Sequence, residues 1–278
     1  MAASDYAITT YSYVVTHTAE QCMSALAEWG FNAFELVMYP GHAWPADMDS
    51  GARRQLRTFL SERSLTLRSL NQPNIDLNIA AATREMREYS LSSLCKTVKL
   101  AGDLCVPDVV IGPGKLNPLV PILREEAVGH LYRALDVLVP LANKVGTRIL
   151  VENMPFAFVP DAESLMMTIE AYGSDDVGVL YDVANGAFIR ENIRAALHRC
   201  RPRLKMIHLS DTGLSVYKHD PIGCGTIDFD AVMEDLGSIS WTERPVLEMV
   251  GLTSDPAAEF FDSTRKLGAA GGAGRFTR

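Results

Sequence analysis

From residue 6 to residue 267, short runs rich in Val, Ile and Leu alternate with longer segments whose apolar residues recur about every three to four positions. The runs close near residues 15, 38, 72, 111, 152, 182, 210 and 250. The helix-patterned segments between and after them span 19–29, 50–64, 83–100, 119–144, 162–171, 189–201, 229–236 and 254–267. Strands alternating with helices imply a parallel sheet. Eight such units within 278 residues imply an α/β chain closed into a single-domain (β/α)8 TIM barrel over residues 1–267. Local signals agree. Thr18, with Gln21 three residues on, forms a capping box ahead of the first helix, and Gly30 stops that helix. Gly102 and Gly146 mark the ends of the third and fourth helices. Ser254 stands as N-cap of the last helix, with Asp255 and Pro256 in its first turn. The tail 268–278 is rich in Gly and Ala, has no period and is expected to be flexible.

Four of the runs end on a residue that a buried strand does not favour. They read Arg148-Ile-Leu-Val-Glu152, Val177-Gly-Val-Leu-Tyr-Asp182, Leu204-Lys-Met-Ile-His208 and Pro245-Val-Leu-Glu248. A charge at the end of such a strand is unfavourable unless something compensates it. In a barrel the C-terminal strand ends share one mouth, where chemistry is carried out. Taken singly, each residue has a plainer reading: a strand-end salt bridge for Glu152 or Glu248, a satisfied core histidine for His208. Together, three carboxylates and an imidazole meeting at one mouth repel one another without a cation. The pattern therefore predicts a divalent metal held by Glu152, Asp182, His208 and Glu248. Oxygen-rich ligands with one imidazole suit Mn2+ first, then Mg2+ or Co2+, and fit poorly with a structural zinc, which prefers thiolates.

Charge and composition narrow the field. The net charge is −8, with Lys and Arg scattered, so no basic face for nucleic acid is expected. No stretch reaches the length of a membrane span, and no basic segment followed by an apolar run opens the chain. The five cysteines, Cys22, Cys95, Cys105, Cys200 and Cys224, lack C-x-x-C spacing and read as free thiols of a reducing compartment. A cytoplasmic protein is the expectation. Gly112-Pro-Gly-Lys115 lacks the full phosphate-loop pattern and reads as a turn.

The order Glu, Asp, His, Glu on the last four strands resembles that of the xylose-isomerase-like barrels, the sugar isomerase/epimerase superfamily. Phe34-Glu35-Leu36, Val151-Glu152-Asn153, His208-Leu-Ser-Asp211 and Pro221-Ile-Gly-Cys-Gly225-Thr-Ile-Asp228 are similar to motifs of that group. The resemblance covers residues 6–267. It implies a metal-dependent isomerase or epimerase acting on a sugar or keto-sugar. The proton next to a carbonyl would be removed through an enediolate that the metal stabilises, with Glu152 and Glu248 exchanging protons with the substrate. Asn185 stands where the family often has a histidine, and His219 where ketose 3-epimerases tend to have an arginine. These departures leave a second outcome open: a lyase or dehydratase that eliminates a β-substituent from a keto-sugar or 3-keto-glycoside.

Candidate substrate contacts are Asn185, His219, Glu35, Asn71 and Trp44. Glu35 either orients a ligand or hydroxyl or forms a salt bridge inside the barrel. Asn71 binds a hydroxyl or ends a solvated strand. Trp44 covers the apolar face of a sugar or packs on its neighbours. DNA-repair endonucleases share the barrel but need further histidines on strands three, four and six. The corresponding ends here are Asn71-Gln72, Ile111-Gly112 and Asn185. Barrels of this group form homo-oligomers, and some lyase-type relatives pair with an unlike subunit, so either assembly is implied.

Overall fold

Eight parallel strands close in chain order: β1 (Ala7–Thr9), β2 (Ala33–Val37), β3 (Thr66–Gln72), β4 (Asp108–Ile111), β5 (Arg148–Glu152), β6 (Val177–Asp182), β7 (Leu204–Leu209) and β8 (Val246–Leu247). The last strand returns to the first, with Ala7 beside Val246 and Ile8 beside Leu247. The computed structural model describes residues 5–251, 253–272 and 276. Around the barrel lie α1 (Ala19–Glu28), α2 (Ser50–Glu62), α3 (Arg84–Leu104), α4 (Arg124–Val145), α5 (Ala162–Tyr172), α6 (Val183–Phe188), α7 (Ile193–Cys200), α8 (Phe229–Ser238) and α9 (Pro256–Leu267). None of the described helices is long and apolar enough to cross a membrane.

The barrel interior is layered because alternate residues of a strand face the same way. Ala7, Ala33, Val110, Leu150, Leu180, Met206 and Val246 form a separate buried cluster inside the ring. Two residues further along five of these strands stand Glu35, Glu152, Asp182, His208 and Glu248. The apolar layer is thus a floor for the charged one. The larger core fills the space between strands and helices, with Leu131, Leu135 and Leu138 of α4 and Leu94, Val98 and Ala101 of α3 among its members.

Several boundaries differ from the sequence expectation. β1 stops at Thr9 because Thr10 leaves the ladder: its hydroxyl accepts from the Val37 amide at 3.0 Å, and Tyr11–Tyr13 coil into a 3-10 turn. α3 runs through Gly102 and ends at Cys105, which adopts a left-handed conformation with φ 56°. Gly102 is needed for packing instead, since a Cβ there would sit 2.6 Å from Val145 Cβ on α4. The segment expected as one helix over 189–201 is interrupted. Arg190 takes φ 63°, and Asn192 then caps α7. The last helix is capped by Asp255, which accepts from Ala258 N at 3.1 Å, and not by Ser254. The Thr18–Gln21 capping box and the left-handed Gly146 C-cap form as the sequence indicates. In the tail, Gly268–Gly272 makes a π-helical turn, and Phe276 is buried edge-on to Tyr6 at 5.7 Å. Residues 273–275 and 277–278 lie outside the described residues.

Candidate metal centre and active-site cavity

β5 to β8 bring Glu152, Asp182, His208 and Glu248 together. One donor atom from each lies within 4.8 Å of the others, and all four residues are buried. Each of the four is held from behind. Asp182 is both a strand end and the N-cap of α6: its Oδ1 accepts from Asn185 N at 2.6 Å, which leaves Oδ2 facing the centre. His208 donates through Nε2 to Glu35 Oε2 at 3.2 Å, so Nδ1 faces the centre, 3.1 Å from Glu248 Oε2 and 3.8 Å from Asp182 Oδ2. A carboxylate behind a ligating imidazole fixes the ring and raises its basicity. Glu35 is itself pinned, accepting from Ser69 Oγ at 2.8 Å and Asn71 Nδ2 at 3.1 Å. Asn153 ties β5 to β6. Its Oδ1 accepts from Asp182 N at 2.7 Å, and its Nδ2 donates to Asp182 O at 3.1 Å.

The electrostatics follow from burial and crowding. Burial, then the charge of Glu248, pushes the Glu152 carboxyl well above the usual range. Burial, reinforced by Glu248 and opposed by His219, His208 and the Asn185 amide, raises Asp182 to about 6. Burial alone would lower His208, but Glu35 and Glu248 outweigh it and hold the imidazole well above its ordinary value. Burial alone would raise Glu35, yet His208, Asn71 and Ser69 bring it below. His208 Nδ1 and Asp182 Oδ2 are among the buried polar atoms without a hydrogen-bond partner among the described residues, and both face the centre. Buried polar atoms rarely go unpaired. A cation bound between them would satisfy both and relieve the repulsion among the carboxylates, so the donor set fits a divalent metal.

Above the centre opens a cavity of about 780 Å³ lined by residues of the strand-following loops. Of the four candidate ligands, only Glu152 and Glu248 reach its wall, while Asp182 and His208 lie beneath. Asn71 also lines it and donates to Glu248 Oε1 at 3.4 Å. His219 lines it with Nδ1 3.4 Å from Glu248 Oε2 and 3.7 Å from Asp182 Oδ2, and burial lowers its pKa. The other candidates stand elsewhere. Glu35 is fully buried behind His208. Asn185 is fully buried behind Glu152, donating to its Oε1 at 3.0 Å and to Asn153 O at 2.8 Å. Trp44 packs against the hydrophobic core and is not part of the cavity wall.

Sequence reasoning missed Tyr217, Tyr11 and Asn153. The Tyr217 hydroxyl meets both Asn185 Oδ1 and, at 2.7 Å, His219 Nε2. Tyr11, from the turn after β1, lines the cavity, its phenol raised by burial and by the charges of Glu248 and Glu152. Asn153 follows Glu152 directly, which was the one available signal. Tyr217 and Tyr11 lie in loops, where no periodicity distinguishes them.

Barrel and centre together define the class: a closed (β/α)8 scaffold with a carboxylate–imidazole cluster at the ends of its last four strands. The model of the xylose isomerase-like TIM barrel family matches residues 23–267, and the chain belongs to that family. It is 25% identical over 226 residues to an uncharacterised protein of Methanocaldococcus jannaschii, covering 79% of this chain and 75% of the relative. Solved structures with the same fold include a D-tagatose 3-epimerase-like protein (TM-score 0.82, 20% identity, 95% of this chain and 96% of the other). Another is the 3-keto-D-glucoside 4-epimerase of E. coli (TM-score 0.79, 18% identity, 96% and 99%). Structural neighbours of the chain thus include sugar epimerases.

Proposed function

We propose that the protein is a divalent-metal-dependent isomerase or epimerase of a sugar or keto-sugar. The observation that carries this reading is that Glu152 and Glu248 face the centre and the cavity at once. A cation held by Glu152, Asp182, His208 and Glu248 would supply Lewis-acid polarisation of a substrate carbonyl and its neighbouring hydroxyl. Manganese is the first choice for such an oxygen-rich set, followed by magnesium and cobalt. Glu152 and Glu248 exchange protons with the carbon next to the carbonyl, one removing and the other returning. Asn185 holds Glu152 in place, Asn71 bridges Glu248 to Glu35, and Glu35 sets the ring of His208. His219 and Tyr217 offer hydrogen-bonding groups beside the substrate.

A second reading is a lyase that expels a β-substituent from a keto-sugar or 3-keto-glycoside. It is favoured by the Tyr217–His219 pair, which lines the cavity and could protonate a leaving group, a donor that exchange between two glutamates does not require. The E. coli neighbour that acts on a 3-keto-D-glucoside supports the same substrate class.

The test is metal analysis of the purified protein, followed by solvent deuterium incorporation into ketoses and 3-keto-glycosides. Exchange should require the metal and fall below detection in both Glu152→Gln and Glu248→Gln. Wild-type exchange in either variant would remove that residue from the mechanism. Exchange with isomer formation selects the first reading, and release of a β-substituent selects the second.

A further inference from the structure

The cavity is larger than the chemistry at its floor requires. Pockets of roughly 300–1,000 Å³ hold drug-sized ligands, and a single hexose fills a minor part of about 780 Å³. The surplus space has a distinct wall. Phe156, in the loop after β5, is 61% exposed, Ile75 after β3 is 49% exposed, and Val250 after β8 is 39% exposed, and all three line the cavity with Met154 and Pro155. Apolar side chains left facing water in a concavity mark a binding surface. The wall is braced: Phe156 stands edge-on to Tyr217 at 5.5 Å, and both contact Phe188, at 5.9 and 5.3 Å. It is also continuous with the centre. Tyr217 packs edge-on against His219 at 5.1 Å, and His219 Nδ1 lies 3.4 Å from Glu248 Oε2. A sugar held over the glutamates therefore meets Tyr217, and whatever extends from that sugar meets Phe156.

We propose that this outer half of the cavity is a subsite for an apolar or aromatic aglycone, so that the substrate is a glycoside and not a free sugar. The proposal rests on the reading that a sugar is bound over the glutamates. It favours an apolar group over a second sugar ring because the outer wall exposes the apolar side chains of Phe156, Ile75 and Val250, while several of its polar groups already have partners. Lys115 Nζ donates to Ile75 O at 3.1 Å, Asn74 Nδ2 is held at Met154 Sδ at 3.4 Å, and Lys218 lies 3.9 Å from Asp220. Gln72, at the inner edge, is turned away to Ser93 Oγ at 2.6 Å. Against Phe156, Ile75 and Val250 a second sugar would bring hydroxyls that find no partner, whereas an aromatic group needs only the contact area.

The experiment is calorimetric titration of the manganese-loaded protein with matched phenyl and methyl β-glycosides of D-glucose, D-galactose and D-xylose, and with cellobiose and lactose. At least one phenyl glycoside should bind about tenfold or more tightly than its methyl partner, as expected for burying one aromatic ring. That preference should shrink to less than about threefold in Phe156→Ala and in Ile75→Asn, with methyl-glycoside affinity unchanged. Equal affinity within every pair, including undetectable binding of both members, overturns the subsite. So does a disaccharide that matches the phenyl glycoside, or a preference that survives in both variants. Deuterium exchange without phenyl preference would sink the subsite and leave the proton chemistry standing. Phenyl preference without exchange would do the reverse.

Discussion

Asn185 is a side chain whose surroundings dictate its orientation, and that orientation propagates. Its amide nitrogen faces Glu152 Oε1 and Asn153 O, two groups that accept hydrogen bonds. Its oxygen must then accept from the Tyr217 hydroxyl, which in turn accepts from His219 Nε2. His219 Nδ1 is left to accept from Ser210 Oγ, 2.9 Å away. Replacing Asn185 with Ala strands Asn153 O and the Tyr217 hydroxyl and frees Glu152. A stability loss of about 1–3 kcal/mol is expected in urea denaturation, together with slower deuterium exchange, and wild-type behaviour in both would refute the relay. Glu35 acts at one further remove. Glu35→Gln keeps the shape but removes the anion behind His208, so manganese affinity should fall about 10–100-fold by calorimetry. The convergence of Glu152, Asp182, His208 and Glu248 was legible in the sequence because an acid or imidazole ending a Val/Ile/Leu run is anomalous. Asn185 and Glu35 were legible as polar residues near strand ends. Their use as braces was not, because which neighbour a side chain reaches is set by strand register.

At the scale of elements, strands β3, β4, β5 and β6 end on the residues read from the sequence, and the other strand ends shift by one to six residues. In β4 and β6 the inward period of two was hidden, since the outer face of these strands is also buried under helices and most of their positions read as apolar. The long loop between β7 and α8 has no hydrophobic period, and between its two family-like motifs it carries Tyr217 and His219. Its order comes from Asp211. One carboxylate oxygen of Asp211 accepts from Thr212 N at 2.9 Å and Ile227 N at 3.1 Å, and the other from Gly223 N at 2.9 Å. Asp211 also exchanges both backbone hydrogen bonds with Asp220, each at 2.8 Å, directly after His219. Gly225 packs against this hub, where a Cβ would lie 2.4 Å from both Asp211 Oδ1 and Thr212 O. Asp211→Ala leaves three backbone amides without their acceptor. It should destabilise the protein by about 2–4 kcal/mol and displace His219, with Asp211→Asn milder in both respects. Denaturation midpoints and crystal structures of the two variants would check this, and an unmoved His219 in Asp211→Ala would show that the loop is ordered by something else.

For the molecule as a whole, the barrel's stability is tied to the charge it confines. In protein stripped of metal by a chelator, Glu152, Asp182 and His208 all have native pKa values above their unfolded ones. Each such group contributes stability that is complete below its unfolded pKa and is lost as pH rises through its native pKa. For Asp182 that loss runs from about 4 to about 6, and for Glu152 and His208 it extends higher. Glu35, held below its ordinary value, works in the opposite sense but only near and below the ordinary carboxylate range. His219, lowered by burial, offsets part of the loss near neutrality. His42 and His130, likewise lowered by burial, act in the same sense as His219, and against them the raised Glu152, Asp182 and His208 make the charged centre of the metal-free barrel less stable at pH 8 than at pH 5. Binding of a cation to the native centre adds RT ln(1 + [L]/Kd), about 2.7 kcal/mol at a hundredfold excess over Kd, and protons compete for the same donors. The rise in melting temperature on adding Mn2+ to chelator-treated protein should therefore be small at pH 5 and grow steadily to pH 8. Thermal scans with and without the metal across that range measure it directly. A rise that does not change with pH would mean that the ion binds somewhere other than among these buried carboxylates.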